Sequence, residues 1–345
     1  MIIPEGARLQ LNEHDEYTHA VEPVSNFNES MYFNAFDPKV GIGAWMRIGN
    51  RVNEGFAEMS CCIYLPDGRV AFMFGRPKIS NNEQMNAGGM KFEVIEPFKR
   101  QRVTYDGEVL LLDNPHDMAD PSSAFKKYPK KHASVSLDYT GVSPMHGGEF
   151  VNAKDGSRWE LDPEKAVYRG HLEQHMAVQG EFVVDGKTYP IDGYGYRDKS
   201  WGPRHWHSFF WYRWLPLSFG VDFGVLLSIK GRRGDTPHIS GNVLKDGKYF
   251  PVIDGRIETV WDKDYYQQQV KAWVKTEEGE YNIEGDITSL VPLRHKRAGS
   301  DVSDTYTRIT EGVGEFRCNG YTALGISEFC DIMEQGKPIS VKEIG

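Results

Sequence analysis

Between Gly193 and Leu215 the chain packs ionisable and aromatic side chains more densely than anywhere else. Trp201, Trp206, Trp211 and Trp214, four of the eight tryptophans, stand among Arg197, Asp198, Arg204, His205, His207 and Arg213. Asp198 lies between Arg197 and Lys199, just before Trp201, Gly202 and Pro203. Two environments are open to its carboxyl group. Held by Arg197, Lys199 or Arg204 it is an ionised anchor. Turned into an apolar pocket it is desolvated, keeps its proton, and can donate it to an alkene, an epoxide or a leaving group. Nearby Trp and Tyr faces would then stabilise cationic character by about 0.5–2 kcal/mol per well-placed ring.

Read as a strand, His205 to Leu215 places Trp206, Phe210, Tyr212 and Trp214 on one face and Phe209, Trp211 and Arg213 on the other. Both faces are largely apolar with a few polar groups, as expected of the wall of a hydrophobic pocket that orients a greasy ligand. This makes Trp201, Trp206, Phe209, Trp211, Tyr212 and Trp214 the candidate substrate-binding residues. The competing structural reading makes them barrel core, with Arg and Asp paired at the rim.

A second constellation is Gly170-His171-Leu172-Glu173-Gln174-His175. On a strand, His171, Glu173 and His175 share a face; on a helix the two imidazoles would stand one turn apart. The order is not the H-E-x-x-H of zinc hydrolases and a third ligand is missing, so a hydrogen-bonded pair lining the cavity is the preferred reading and no metal is assigned. The candidate catalytic set is Asp198 as acid, with Tyr196, Arg204, His175 and Glu173 as orienting groups. Glu83, His116, Asp222 and Glu328 read as isolated, solvated or satisfied groups. Ser200 lacks the G-x-S-x-G turn of a nucleophile elbow.

These residues need a scaffold, and turn signals dominate the chain. Asp-Gly occurs at 67–68, 106–107, 155–156, 185–186, 192–193, 246–247 and 254–255. Several pairs separate short runs rich in Val, Ile, Phe and Tyr, the strongest short-range hairpin cue. No amphipathic pattern of four helical turns is found. With 36 Gly, 18 Pro and 12% aromatics, many short strands joined by tight turns predict an all-β antiparallel sandwich or barrel. The length of 345 residues favours two domains, and the turn-like stretch from Asp155 to Tyr168 places the division near 165, giving domains 1–165 and 166–345. The polar, Pro-broken segment from Asp113 to Lys131 reads as a lid or excursion with one short helical turn.

Composition excludes several classes. Forty basic against forty-nine acidic side chains give a net charge of −9, and without a concentrated basic footprint nucleic acid is not an expected partner. The opening residues lack a basic region followed by an apolar run, and no stretch approaches the ~18 apolar residues of a membrane span, so a soluble cytoplasmic protein is expected. Cys61, Cys62, Cys318 and Cys330 have neither zinc-knuckle nor disulfide-framework spacing and read as free thiols. A phosphate-binding Gly loop feeding a helix is missing, so no nucleotide cofactor is expected. The expected partner is a hydrophobic small molecule, and a homodimer is left open.

With these residues in view, the chain resembles the AttH-like group that includes carotenoid 1,2-hydratase (hydroxyneurosporene synthase), with fungal Diels-Alderases and tocopherol cyclase as more distant structural relatives. The resemblance rests on Gly195 to Arg204, on Gly170 to Gln174 and on Asn26 to Phe33, and extends to Glu311-Gly312 and Gly320 to Phe329. It implies two successive calycin or lipocalin-like barrels or curved sandwiches, with ligand held in or between them. It also implies hydration, cyclisation, isomerisation or elimination of terpenoid, polyene or polyketide-like substrates without a metal or redox cofactor. Asp198 takes the position of the proton donor. Lys199 departs from the family pattern, which places an imidazole there, and leaves that role to His175, His205 or His207.

Three functional readings follow. The first is a cofactor-independent lyase (hydro-lyase), hydratase or isomerase, with cyclase included, acting on a hydrophobic alicyclic or aromatic molecule. The second is a lipocalin-type carrier, against which several ionisable groups in an apolar wall argue. The third is a carbohydrate-active β-sandwich, which needs two carboxylates about 5–9.5 Å apart; Asp198 and Glu173 are the nominated pair.

Overall fold

The protein is seen in a computed structural model that describes residues 3–164, 166–204, 210–231, 234, 236–296 and 306–341. Two large antiparallel sheets, of twelve and ten strands, form most of it, in line with the hairpin signals. The longest helix among the described residues is Pro121–Lys127, seven residues. The chain divides into two compact units, Met1–Ile63 with Ala71–Leu111 and Lys130–Ser208, and Tyr64–Val70 with Leu112–Pro129 and Phe209–Gly345.

The turn chemistry explains much of the topology. Asp185-Gly186 joins Gly170–Val184 to Lys187–Pro203, and Asp246-Gly247 joins His238–Lys245 to Lys248–Pro251. In each, both residues have positive φ, 51° and 75° in the first and 50° and 75° in the second, the conformation a two-residue type I′ turn needs. Asp67-Gly68 connects Phe56–Tyr64 to Val70–Gly75. Asp106-Gly107 and Asp192-Gly193 instead fall inside long strands.

In the first unit, Gly170–Val184, Lys187–Pro203, Phe27–Asp37, Ile42–Arg51, Phe56–Tyr64, Val70–Gly75 and Arg100–Leu112 are neighbours in that order, and Lys130–Gly141 pairs with both ends of the series. These eight strands therefore close into a barrel, the arrangement that removes exposed sheet edges. Phe33 and Tyr139 lie on strands separated by two others in the ring, yet their ring centroids are 5.0 Å apart. Their side chains must meet inside the barrel, and strand alternation then assigns every other residue. Met176, Arg197, Lys199 and Trp201 point inward; His171, Glu173, His175, Tyr196 and Asp198 point outward.

The expected division near 165 is corrected by this pairing. Gly170–Val184 hydrogen-bonds to His146–Asn152 and Lys130–Gly141, and Lys187–Pro203 to Phe27–Asp37. The segment around Asp155 is a loop of the first unit, tied by Ala153 N–H to Gly6 O at 2.9 Å. The motif around Asp198 thus belongs to the first unit, not to a C-terminal domain.

The second unit is a ten-stranded sheet running from Lys248–Pro251 through Trp211–Ser218 and Tyr321–Glu334 to Asp254–Trp261. Its core includes Trp211, Leu215, Leu217, Phe223, Leu227, Phe316 and Phe329. Arg213 is buried within it, bonded to Asp331 at 3.0 and 3.2 Å. The segment predicted as an excursion with a helical turn carries the short helices Pro115–Ala119 and Pro121–Lys127; there His116 packs against Tyr266 at 4.7 Å. All four cysteines are buried, and none is in a disulfide. No helix among the described residues is long and apolar enough to cross a membrane.

Candidate active site

The long hairpin Gly170–Pro203 is paired along its whole length, which sets His171 opposite Ser200, Glu173 opposite Asp198 and His175 opposite Tyr196. One outward face thereby collects two carboxylates, two imidazoles and a phenol from two adjacent strands. His171 is the centre. Its Nε2 meets Asp198 Oδ2 in a short contact, and its Nδ1 faces Glu173 Oε2 at 3.7 Å. The Asp198 side chain is 20% exposed, His171 13% and Glu173 6%, so the chain of groups runs from a partly accessible carboxyl into a closed interior.

Aromatic rings frame it. Tyr168 stacks on His171 at 4.9 Å and 18°, and Phe150 continues the stack at 6.0 Å. His175 meets Tyr196 edge-on at 4.7 Å. Complete burial pushes the His175 imidazole down to about 3, so it is neutral at physiological pH. Burial, reinforced by the charge of Glu173 and countered by that of Arg204, pushes the Tyr168 phenol up. Burial also lowers His146, which lies opposite Glu173. Arg204 reaches Ser200 Oγ at 2.6 Å.

The inward face of the same strand is different. Arg197 donates to Glu16 Oε2 at 2.8 Å and to Gln174 Oε1 at 3.0 Å. Lys199 Nζ donates to Glu29 Oε1 at 2.6 Å. Burial would raise the Glu29 carboxyl, but the Lys199 charge and the His19 hydrogen bonds outweigh it and hold the group at about 2. Both cations beside Asp198 in sequence are thus committed to other carboxylates on the far side of the strand. Asp198 is not their anchor.

Several expected site residues are placed elsewhere. Trp201 points inward, stacked on His19 at 4.1 Å and 9° and lying over Gly170, where an added Cβ would come within 2.1 Å of its ring. Trp211 is core of the second unit and covers Gly231, its register partner, in the same way. Each is a packing residue, because a large ring on one strand fills the gap left by a glycine on the next. Tyr212 and Trp214 lie on Trp211–Ser218 of the second sheet, where Tyr212 bonds Glu328. Glu328, expected to be isolated, stands opposite Glu311, whose carboxyl is driven up by burial and by that neighbour. His205, Trp206, His207 and Phe209 lie outside the described residues.

Tyr168 and His146 were not among the residues expected from the sequence, and His171 was expected beside Glu173 and His175 without its contact to Asp198. The alternation of His171, Glu173 and His175 was visible, but which of them meets Asp198 depends on the register with Lys187–Pro203. His171, Glu173 and Asp198 each offer a ligand atom within 4.8 Å of the others. The imidazole turns one ring nitrogen to each carboxylate, Nε2 to Asp198 and Nδ1 to Glu173.

A family model described as a domain of unknown function, DUF7064, matches residues 12–333. The chain belongs to the DUF7064 family. No curated protein sequence matches this DUF7064 chain. Among solved structures it is similar to a Nitrosomonas europaea protein assigned as an AttH, with a TM-score of 0.58 at 12% identity, covering 92% of this chain and 98% of that one. It is similar to kievitone hydratase from Nectria haematococca, with a TM-score of 0.55 at 9% identity over 97% and 98%. It is also similar to CghA in complex with Sch210972, with a TM-score of 0.51 at 10% identity over 96% and 99%. The DUF7064 chain therefore has the all-β, AttH-like double-calycin fold.

Proposed function

We propose that the protein is a cofactor-independent lyase, hydratase or isomerase, with Asp198 transferring a proton to or from carbon of a hydrophobic terpenoid-like, alicyclic or aromatic molecule. The observation that carries this reading is the Asp198–His171–Glu173 chain on a face from which Arg197 and Lys199 are turned away. In the forward direction an alkene π bond takes the proton from the Asp198 carboxyl group. His171 then passes its proton to the resulting carboxylate, and Glu173 at the other nitrogen balances the charge on the imidazole. The carbocation is captured by water in a hydration or loses a neighbouring proton in an isomerisation, and the proton released in either case is taken up by the depleted His171, which restores the starting state. Tyr196 and the neutral His175 shape the wall, and Arg204 is oriented by Ser200.

Fold-level similarity to a hydratase supports the reaction class, and similarity to a protein holding Sch210972 supports a small organic ligand. The carrier reading is weakened because inward rings of the barrel, Phe33 with Tyr139 and Phe92, pack against one another where a lipocalin-type ligand would need room. The carbohydrate reading is weakened because Asp198 and Glu173 both face the same imidazole, whereas the two carboxylates of a glycosidase flank the scissile bond.

The test is incubation with kievitone and a panel of prenylated and alicyclic alkenes in D2O, reading solvent deuterium in recovered substrate and product by mass spectrometry. The wild-type protein is expected to introduce carbon-bound deuterium, and Asp198→Asn to do so about 10²–10⁴ times more slowly with ligand-induced Trp quenching retained. Incorporation by Asp198→Asn at the wild-type rate would overturn the assignment.

A further inference from the structure

A second cluster, on the other side of the barrel wall from Asp198, is used by none of the chemistry above. His14 and Asp15 sit in the one-turn helix Glu13–Glu16, and His19 follows in the loop that leads toward Phe27–Asp37. Asn12 caps the turn by donating its backbone N–H to Asp15 Oδ2 at 2.9 Å, which orients the carboxylate and leaves Oδ1 turned away from the cap. His14 Nε2 lies 3.1 Å from that oxygen and His19 Nε2 3.5 Å.

The side of His19 away from Asp15 fixes what its Nε2 can do. Nδ1 stands 2.8 Å from Glu29 Oε1, and a carboxylate accepts only, so Nδ1 carries the hydrogen and the neutral imidazole presents a bare lone pair at Nε2. That lone pair is aimed at Asp15 Oδ1. Both atoms are buried, neither makes a hydrogen bond among the described residues, and Asp15 has no exposed surface at all. Two acceptors facing each other in a dry site repel unless a positive species lies between them. A second proton on His19 is one such species, and the carboxylates of Asp15 and Glu29 do raise that imidazole against the effect of burial. A proton, however, leaves the convergence of His14 on the same oxygen without a purpose.

We infer that His14 Nε2, Asp15 Oδ1 and His19 Nε2 form a binding site for a divalent transition metal ion of the zinc type. Bonds of about 2.0–2.1 Å to nitrogen and 2.0–2.2 Å to oxygen in a tetrahedron require ligand atoms about 3.3–3.5 Å apart. The observed 3.1 and 3.5 Å bracket that edge, and all three ligand atoms lie within 4.8 Å of one another. Glu29 behind His19 is the carboxylate–histidine support that metal-bound imidazoles regularly have. The stacking of His19 on Trp201, whose ring is in turn covered by Lys199 at 4.7 Å, fixes the plane of the ligand. His14 is largely exposed, with 69% of its side chain accessible, so the site is approached from solvent on that side. Because all three ligands lie within residues 14–19, the ion would brace this segment itself, and the His19 contact with Glu29 on Phe27–Asp37 ties the braced segment to the barrel.

The test uses the full-length chain, stripped with a chelator, dialysed and titrated with zinc chloride by calorimetry and with cobalt chloride by visible absorption. One equivalent should bind, cobalt should show the ligand-field band of a four-coordinate nitrogen and oxygen site, and zinc should raise the melting temperature. His14→Ala changes only an exposed side chain, so it should melt like the wild type in chelator. It should also lose affinity at least about 100-fold and show no zinc-dependent rise in melting temperature. Failure of the wild-type chain to bind one equivalent would overturn the inference. So would binding that survives in His14→Ala but is lost in His171→Gln, since the ion would then sit at the Asp198 cluster.

Discussion

The two faces of the strand Lys187–Pro203 hold opposite kinds of charge. Inward, Arg197 and Lys199 are fully buried and each is bonded to a buried carboxylate contributed by a segment far away in sequence. Outward, Asp198 retains some solvent contact and is joined to an imidazole on the neighbouring strand. Three consecutive ionisable residues are thus sorted by strand alternation alone: two are held in buried ion pairs and one meets an imidazole on the opposite face. A charge-dense motif should therefore be divided by face before any of its members is given a catalytic role, since adjacent residues in a strand cannot neutralise one another across the sheet.

The division between faces can be broken first from the inside. Glu29→Gln leaves Lys199 buried without its counter-ion, and removing one partner of a buried pair costs about 3–5 kcal/mol. Urea unfolding should show a loss of that size, whereas Asp198→Asn should lose no more than about 1 kcal/mol, the value of one hydrogen bond. Equal losses for the two variants would erase the distinction.

The outward face can be sharpened next through His175, buried and neutral beside Tyr196. Its folded value of about 3 lies below the ordinary 6.5, so the unfolded chain binds the extra proton first. The associated stability is complete above about pH 6.5 and is lost as pH falls toward 3. Between pH 7 and 5 this amounts to about 2 kcal/mol. His175→Phe should remove that part of the pH dependence in urea midpoints, and an unchanged slope would show that His175 is not the group responsible.

Much of the fold was legible in the sequence, because hairpins announce themselves locally. The Asp-Gly pairs at 185–186 and 246–247 lie where hairpins were expected and have both φ angles positive, and the short β-rich runs beside them are strands. The domain boundary was not legible, since the loop around Asp155 has the same composition whether it joins domains or strands. For the candidate site, Asp198 and Glu173 were named and meet through His171. The ion pairs that hold Arg197 and Lys199 join residues 181 and 170 positions apart, and no local pattern encodes such pairing. Trp201 and Trp211 misled because a tryptophan over a cross-strand glycine has the same sequence signature as one lining a pocket. Alternation applied to Arg197-Asp198-Lys199 itself, and not only to His205–Leu215, would have separated the charges without coordinates.

The most direct test of the outward-facing unit is a double-mutant cycle on deuterium incorporation with Asp198→Asn, His171→Gln and the pair together. If carboxyl and imidazole work as one proton relay, the double variant should be no slower than the slower single variant, because the second change removes a step already lost. Rate losses that multiply would show two independent groups and contradict a relay through His171.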